Sequence, residues 1–127
     1  KNSWIRNVLS TLGQAGYKIV ITSDHGSLRV NRPALVAADK HSSPGVRYKY
    51  GRNINVSTKS AIDVRDLSLY RLPDIGHQIN YIIAKEDFFF IYPNDQNKFK
   101  EQLQNSFQHG GVSMEEMLVP IFTLTQK

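Results

Sequence analysis

A few short stretches carry side chains suited to holding a metal ion or an anion. "TSDHG" sets Asp24 and His25 before Gly26, directly after the apolar run "YKIVI". "QHGG" places His109 before Gly110 and Gly111. "GVRYKYGRN" interleaves Arg47, Lys49 and Arg52 with Tyr48 and Tyr50. A carboxylate oxygen and an imidazole nitrogen together suit Zn²⁺ or Mn²⁺. Neighbours on an extended chain project to opposite sides. Asp24 and His25 are therefore expected to serve two different ions, or to divide between one ion and a contact to its ligands. The plainer alternative for Asp-His-Gly after a strand is a turn or helix cap. His109, beside glycines, can be aimed at a ligand; its plainer alternative is a surface histidine next to a flexible turn.

The basic stretch reads as a strand with Arg47 and Lys49 on one face and the tyrosines on the other. Cations and aromatics so arranged can grip phosphate and stack a base. Arg47 and Arg52 offer bidentate geometry to a phosphodiester, with Lys40 and His41 as weaker candidates. The competing reading is a half-buried strand with a solvated charged face. His77 is expected to be structural or exposed. Glu115 and Glu116 stand where a helix start favours negative charge, and Glu115 can also reach a residue that binds a metal.

Composition narrows the partners. Lys and Arg number 16 against 11 Asp and Glu, a net charge of +5 with neutral histidines. That balance points to an anionic partner: phosphate, nucleotide or nucleic acid. Cysteine is absent, which excludes disulfides, thiolate zinc sites and a cysteine nucleophile and suits a cytoplasmic location. No apolar stretch approaches the roughly 20 residues that span a bilayer. The 127 residues, 40% of them apolar, make one domain with a real core. The start, "KNSWIRN", has no Met and falls within a helical pattern, as in a piece of a longer chain.

Several elements can position these residues. Apolar residues at helical spacing over 3–15 predict a helix, with Ser3 able to cap it and Gly16 to stop it. Tyr17–Ile21 reads as a buried strand. Leu28–Val30 is a short strand, and Leu35–Val36 a weak strand or turn. "VRYKYGRNINV" is strand material, and "IDVRDLSLYRLP" has a helical flavour ending at Pro73. "INYIIAKE" and "FFFIYP" suit a hairpin. "NDQNKFKEQLQNSF" predicts an amphipathic helix capped by Asn94 or Asp95, with Phe99, Leu103 and Phe107 on one stripe. Ser113 and Glu116 have the spacing of a capping box. Leu118–Leu124 is a last strand, which Pro120 places at an edge or bulge.

Together "TSDHG", "VRYKYGRN" and "FQHGGVSMEEMLVPIFTL" resemble the C-terminal part of a PglZ domain, within the alkaline phosphatase-like metalloenzyme superfamily. The likeness is greatest to the PglZ domains of PorX-type response regulators of the bacterial type IX secretion pathway. The resemblance covers nearly the whole chain and implies an α/β fold: a partial alkaline phosphatase-like mixed sheet flanked by helices. It implies that Asp24 and His25 bind one metal of a pair and that His109 binds the other. It implies a metal-dependent phosphohydrolase, acting on a phosphodiester of a nucleotide or oligonucleotide. The family's Thr or Ser nucleophile and its remaining ligands match nothing in the chain, since Ser10 and Thr11 lie within the first helix. They are expected upstream of Lys1, so that residues 1–127 form the C-terminal part of the catalytic domain. A receiver domain in the parent protein, and pairing between copies along an open sheet edge, are further expectations. Two rivals stand beside the enzyme: a non-catalytic regulatory module, and a nucleic-acid-binding module without chemistry.

Overall fold

The computed structural model describes residues 3–94 and 96–125. In chain order the elements are α1 (Trp4–Gln14), β1 (Ile19–Thr22), β2 (Leu28–Arg29), β3 (Arg32–Ala37), β4 (Tyr48–Arg52), β5 (Asn55–Val56) and β6 (Ala61–Val64). They continue with β7 (Ile79–Ala84), β8 (Phe88–Ile91), α2 (Gln96–Leu103), β9 (Phe107–Gln108), α3 (Met114–Met117) and β10 (Ile121–Leu124). The chain divides into two compact units, one of residues 3–25 with 118–125 and the other of Gly26–Met117.

The smaller unit holds α1, β1 and β10. Ser3 has the extended backbone of an N-cap but no side-chain capping hydrogen bond. The helix ends where Gly16 turns into the left-handed region at φ 79°. There Tyr17 N–H donates to the Leu12 carbonyl at 3.0 Å and Gly16 N–H to the Gly13 carbonyl at 2.9 Å. These bonds form the paired closure that glycine permits at a helix end. β1 and β10 pair antiparallel, from Ile19 opposite Leu124 to Thr22 opposite Ile121. β10 starts only after Pro120, three residues later than the apolar run from Leu118 suggested.

The larger unit carries the buried core. β5, β3 and β8 form a mixed sheet in that order, with β3 parallel to β8 and antiparallel to β5. β4, β7 and β6 form an antiparallel sheet with β7 in the centre, and β2 pairs with β9. Strand β8 joins the apolar clusters by alternation. Phe90 packs with Val36, Ile54 and Ile82, while Phe89 and Ile91 pack with Val30 and with Leu103 at the end of α2. Pro33 is tolerated within β3 because Arg32–Leu35 pair only with β8, and β5 joins further on at Val36 and Ala37.

Several expectations need correction. Among the described residues the strands form four small sheets, of two or three strands each, rather than one. The segments "INYIIAKE" and "FFFIYP" do not pair as a hairpin. Both edges of β7 are taken by β4 and β6, so β8 leaves the turn at Glu86 and pairs with β3. The start of "IDVRDLSLYRLP" is strand β6. Its buried Ala61 and Val64 lie at a helix-like interval, but the segment pairs residue by residue with β7. Phe107 leaves the expected helical stripe for β9 and is exposed. The capping role offered to Asp95 lies outside the described residues. No described helix is long and apolar enough to cross a membrane.

Asn80 is the polar pin of the central strand. Its Oδ1 accepts from Ile54 N–H at 2.8 Å, and its Nδ2 donates to the Ile54 carbonyl at 2.9 Å and to Asp63 Oδ1 at 2.6 Å. Ile54 is wholly buried, so no water can replace these bonds. Asn80→Ala is expected to cost about 1–3 kcal/mol, read as a lower urea midpoint.

Candidate functional site

Asp24 and His25 follow β1 at a bend. The His25 N–H donates to Asp24 Oδ1 at 3.0 Å, which folds the side chain back over the next residue. Asp24 Oδ2 lies 3.6 Å from His25 Nε2. The two side chains therefore converge, where an extended backbone would have sent them to opposite sides. Donor atoms of a tetrahedral zinc at its usual bond lengths are about 3.3 Å apart. The donor set and its spacing fit one shared divalent ion after a small adjustment. Both residues are solvent-accessible, Asp24 more so than His25. Among the described residues no three His, Asp or Glu side chains gather closely enough to hold a metal.

His109 follows β9, exposed, at the head of a loop whose glycines do different work. Gly110 has φ 98°, a conformation side chains disfavour. Gly111 is needed for space: a Cβ there would lie 2.5 Å from Glu116 Oε2 and 2.7 Å from Arg47 Nη2. Glu116 is the organiser of this loop. Its Oε1 accepts from Gly111 N–H at 2.9 Å. Its Oε2 accepts from Ser113 N–H at 3.3 Å, while Glu116 N–H donates to Ser113 Oγ at 3.3 Å. The latter two bonds are the expected capping box, and they start α3.

The cation strand is inverted relative to expectation. Arg47 and Lys49 are buried, and Tyr48 and Tyr50 are half-buried. Arg47 donates from Nε to Glu116 Oε1 at 2.8 Å and from Nη2 to Oε2 at 2.7 Å. Its Nη1 donates to the Phe88 carbonyl. Lys49 Nζ donates to the Ser43 carbonyl at 2.8 Å and lies 4.8 Å from the centre of the Tyr92 ring. Both residues were expected to grip a phosphodiester. Their charges are instead turned inward and bound to protein groups, so of the three only Arg52, at the exposed end of β4, is presented to solvent. His77 is exposed, as expected, and Lys40 and His41 lie in the exposed turn before β4.

Burial alone would push the Glu116 carboxyl up. The Arg47 guanidinium, followed by the Gly111 N–H and Ser113, overrides this and holds it at about 2, below its usual 4.5. Sequence reasoning found the cap but missed the ion pair. The S-x-x-E spacing is a local signal, whereas the partner lies 69 positions away.

The family described as the BREX system PglZ alkaline phosphatase-like domain matches residues 2–124, and the chain belongs to that family. No curated protein matches it.

Glu116→Gln leaves the buried Arg47 charge uncompensated and is expected to cost about 3–5 kcal/mol, measured by urea denaturation. Folded Glu116 binds its proton less readily than unfolded Glu116. Its contribution is thus complete above about pH 4.5 and is lost as pH falls towards 2. The stability of Glu116→Gln should fall less steeply than that of wild type across this window. Gly111→Ala should also destabilise, by about 1–3 kcal/mol, through its collision with the ion pair.

Proposed function

We propose that this chain is the C-terminal part of a divalent-metal-dependent phosphohydrolase domain, acting on phosphodiester bonds of nucleotides or oligonucleotides. The observation that carries the reading is the PglZ family match across residues 2–124. The convergence of the Asp24 carboxylate and the His25 imidazole at 3.6 Å supports it. In this reading Asp24 and His25 hold one Zn²⁺ or Mn²⁺, and His109 helps hold a second. Such ions stabilise the charge on a transferring phosphoryl group and lower the pKa of a bound hydroxyl. Arg52 contributes a substrate contact. The nucleophile, a Thr or Ser, and the remaining ligands are assigned to sequence upstream of Lys1. A receiver domain in a signalling parent protein belongs to the same reading and follows from the likeness to PorX-type regulators.

One observation favours a second reading. The net charge of +5 suits a module that keeps the fold and binds an anionic partner without chemistry. That module would bind its partner in a salt-sensitive manner with chelator present.

The readings separate on the intact domain. Zn²⁺ or Mn²⁺ should restore hydrolysis of bis-(p-nitrophenyl) phosphate to chelated protein, and Asp24→Ala or His109→Ala should reduce it to background. An intact domain inert with every divalent ion tried would exclude the hydrolase.

A further inference from the structure

The turn before β4 is exposed and polar, yet it is held from several sides. His41 N–H donates to Asp39 Oδ1 at 2.9 Å, and Ser42 Oγ donates to the Asp39 carbonyl at 3.0 Å. Ser42 Oγ also bonds the Tyr92 hydroxyl at 2.8 Å. Ser43 and Tyr50 exchange hydrogen bonds: Ser43 N–H to the Tyr50 carbonyl at 2.9 Å, and Tyr50 N–H to Ser43 Oγ at 3.0 Å. The buried Lys49 ammonium clamps the Ser43 carbonyl from below. Gly51 lets the turn lie against β4, since a Cβ there would sit 2.9 Å from Ser42 Cβ.

This fixed turn forms one wall of a groove of about 330 Å³. Asp39 and His41 line it from the turn and Tyr50 and Arg52 from β4, and Ile75 and Ile79 complete the lining. Arg52 and Ile79 are direct partners in the β4–β7 ladder. The Tyr50 ring is braced by the Tyr48 and Tyr81 rings, with centres 5.9 and 5.5 Å away. The volume lies at the small end of ligand sites, about 300–1,000 Å³. Its chemistry is divided. A guanidinium and an imidazole suit a phosphate. A braced aromatic ring with two branched aliphatic side chains suits the flat face of a base. A carboxylate suits the hydroxyls of a sugar.

Taking the class of ligand from the phosphodiester reading above, we propose that this groove is a nucleotide subsite. Arg52 and His41 take the phosphate, and Tyr50 with Ile75 and Ile79 holds the base. It seats one nucleotide unit of the substrate by contacts that need no metal.

The test uses the chain in EDTA, titrated with adenosine 5′-monophosphate and followed by amide chemical shifts. Saturable shifts are expected at His41, Gly51 and Arg52. Arg52→Ala should weaken binding at least tenfold, and its amide spectrum reports whether it remains folded. Adenosine and inorganic phosphate should each bind more weakly than the nucleotide. Equal binding by Arg52→Ala, or shifts that map elsewhere, would overturn the subsite. Phosphate binding as tightly as the nucleotide would overturn the base contact. Chelation keeps this outcome separate from the hydrolase test: an inert domain would leave these shifts unaffected. Conversely, an active domain whose KM for a dinucleotide is unchanged by Arg52→Ala would sink the subsite alone.

Discussion

The Arg47–Glu116 pair is the constraint on which the HGG loop depends. It ties the residue before β4 to α3, and through Arg47 Nη1 it reaches the Phe88 carbonyl at the start of β8. A buried ion pair adds little net stability, because desolvation offsets most of the Coulomb attraction. Its effect is on geometry. Once Arg47 is buried, its charge requires a carboxylate in one place, and that carboxylate fixes the Gly111 N–H. The position of the loop bearing His109 therefore follows from the Arg47–Glu116 pair.

Lys49 repeats the pattern. Its ammonium is spent on the Ser43 carbonyl and the Tyr92 ring, and so it braces the 39–43 turn from beneath. The cations of "GVRYKYGRN" thus fall into two sorts. Arg47 and Lys49 are buried against protein groups, and Arg52, where β4 runs out, is exposed to solvent. The net charge of +5 overstates what a ligand meets, since part of it is internal.

Much of this was legible in the sequence. Helical spacing found α1, and its glycine stop proved to be a full hydrogen-bonded closure. The S-x-x-E spacing found α3, and the β4 alternation was right in period. Its facing was wrong, because arginine and lysine read as solvent residues until a buried carboxylate and carbonyl are known to await them. The hairpin failed for a related reason. "INYIIAKE" shows that a strand exists but not that both its edges are occupied. Non-local pairing, as between Arg47 and Glu116 or β3 and β8, leaves no periodic trace. The motifs themselves were read from a local order of residues, and the family match supports that order. The convergence of Asp24 with His25 was not legible, since it turns on one backbone hydrogen bond at a bend.

The aromatic residues are unevenly shared between the two units. Trp4, the single tryptophan, lies on α1 and is 75% exposed, while Tyr48, Tyr50 and Tyr81 cluster in the larger unit. The indole already sits in water, so its emission should be red-shifted and change little on denaturation. Near-ultraviolet ellipticity from the clustered phenols carries the signal of the unit that contains the ion pair. The chain thus comes with two intrinsic optical probes, each reading a different part of the molecule.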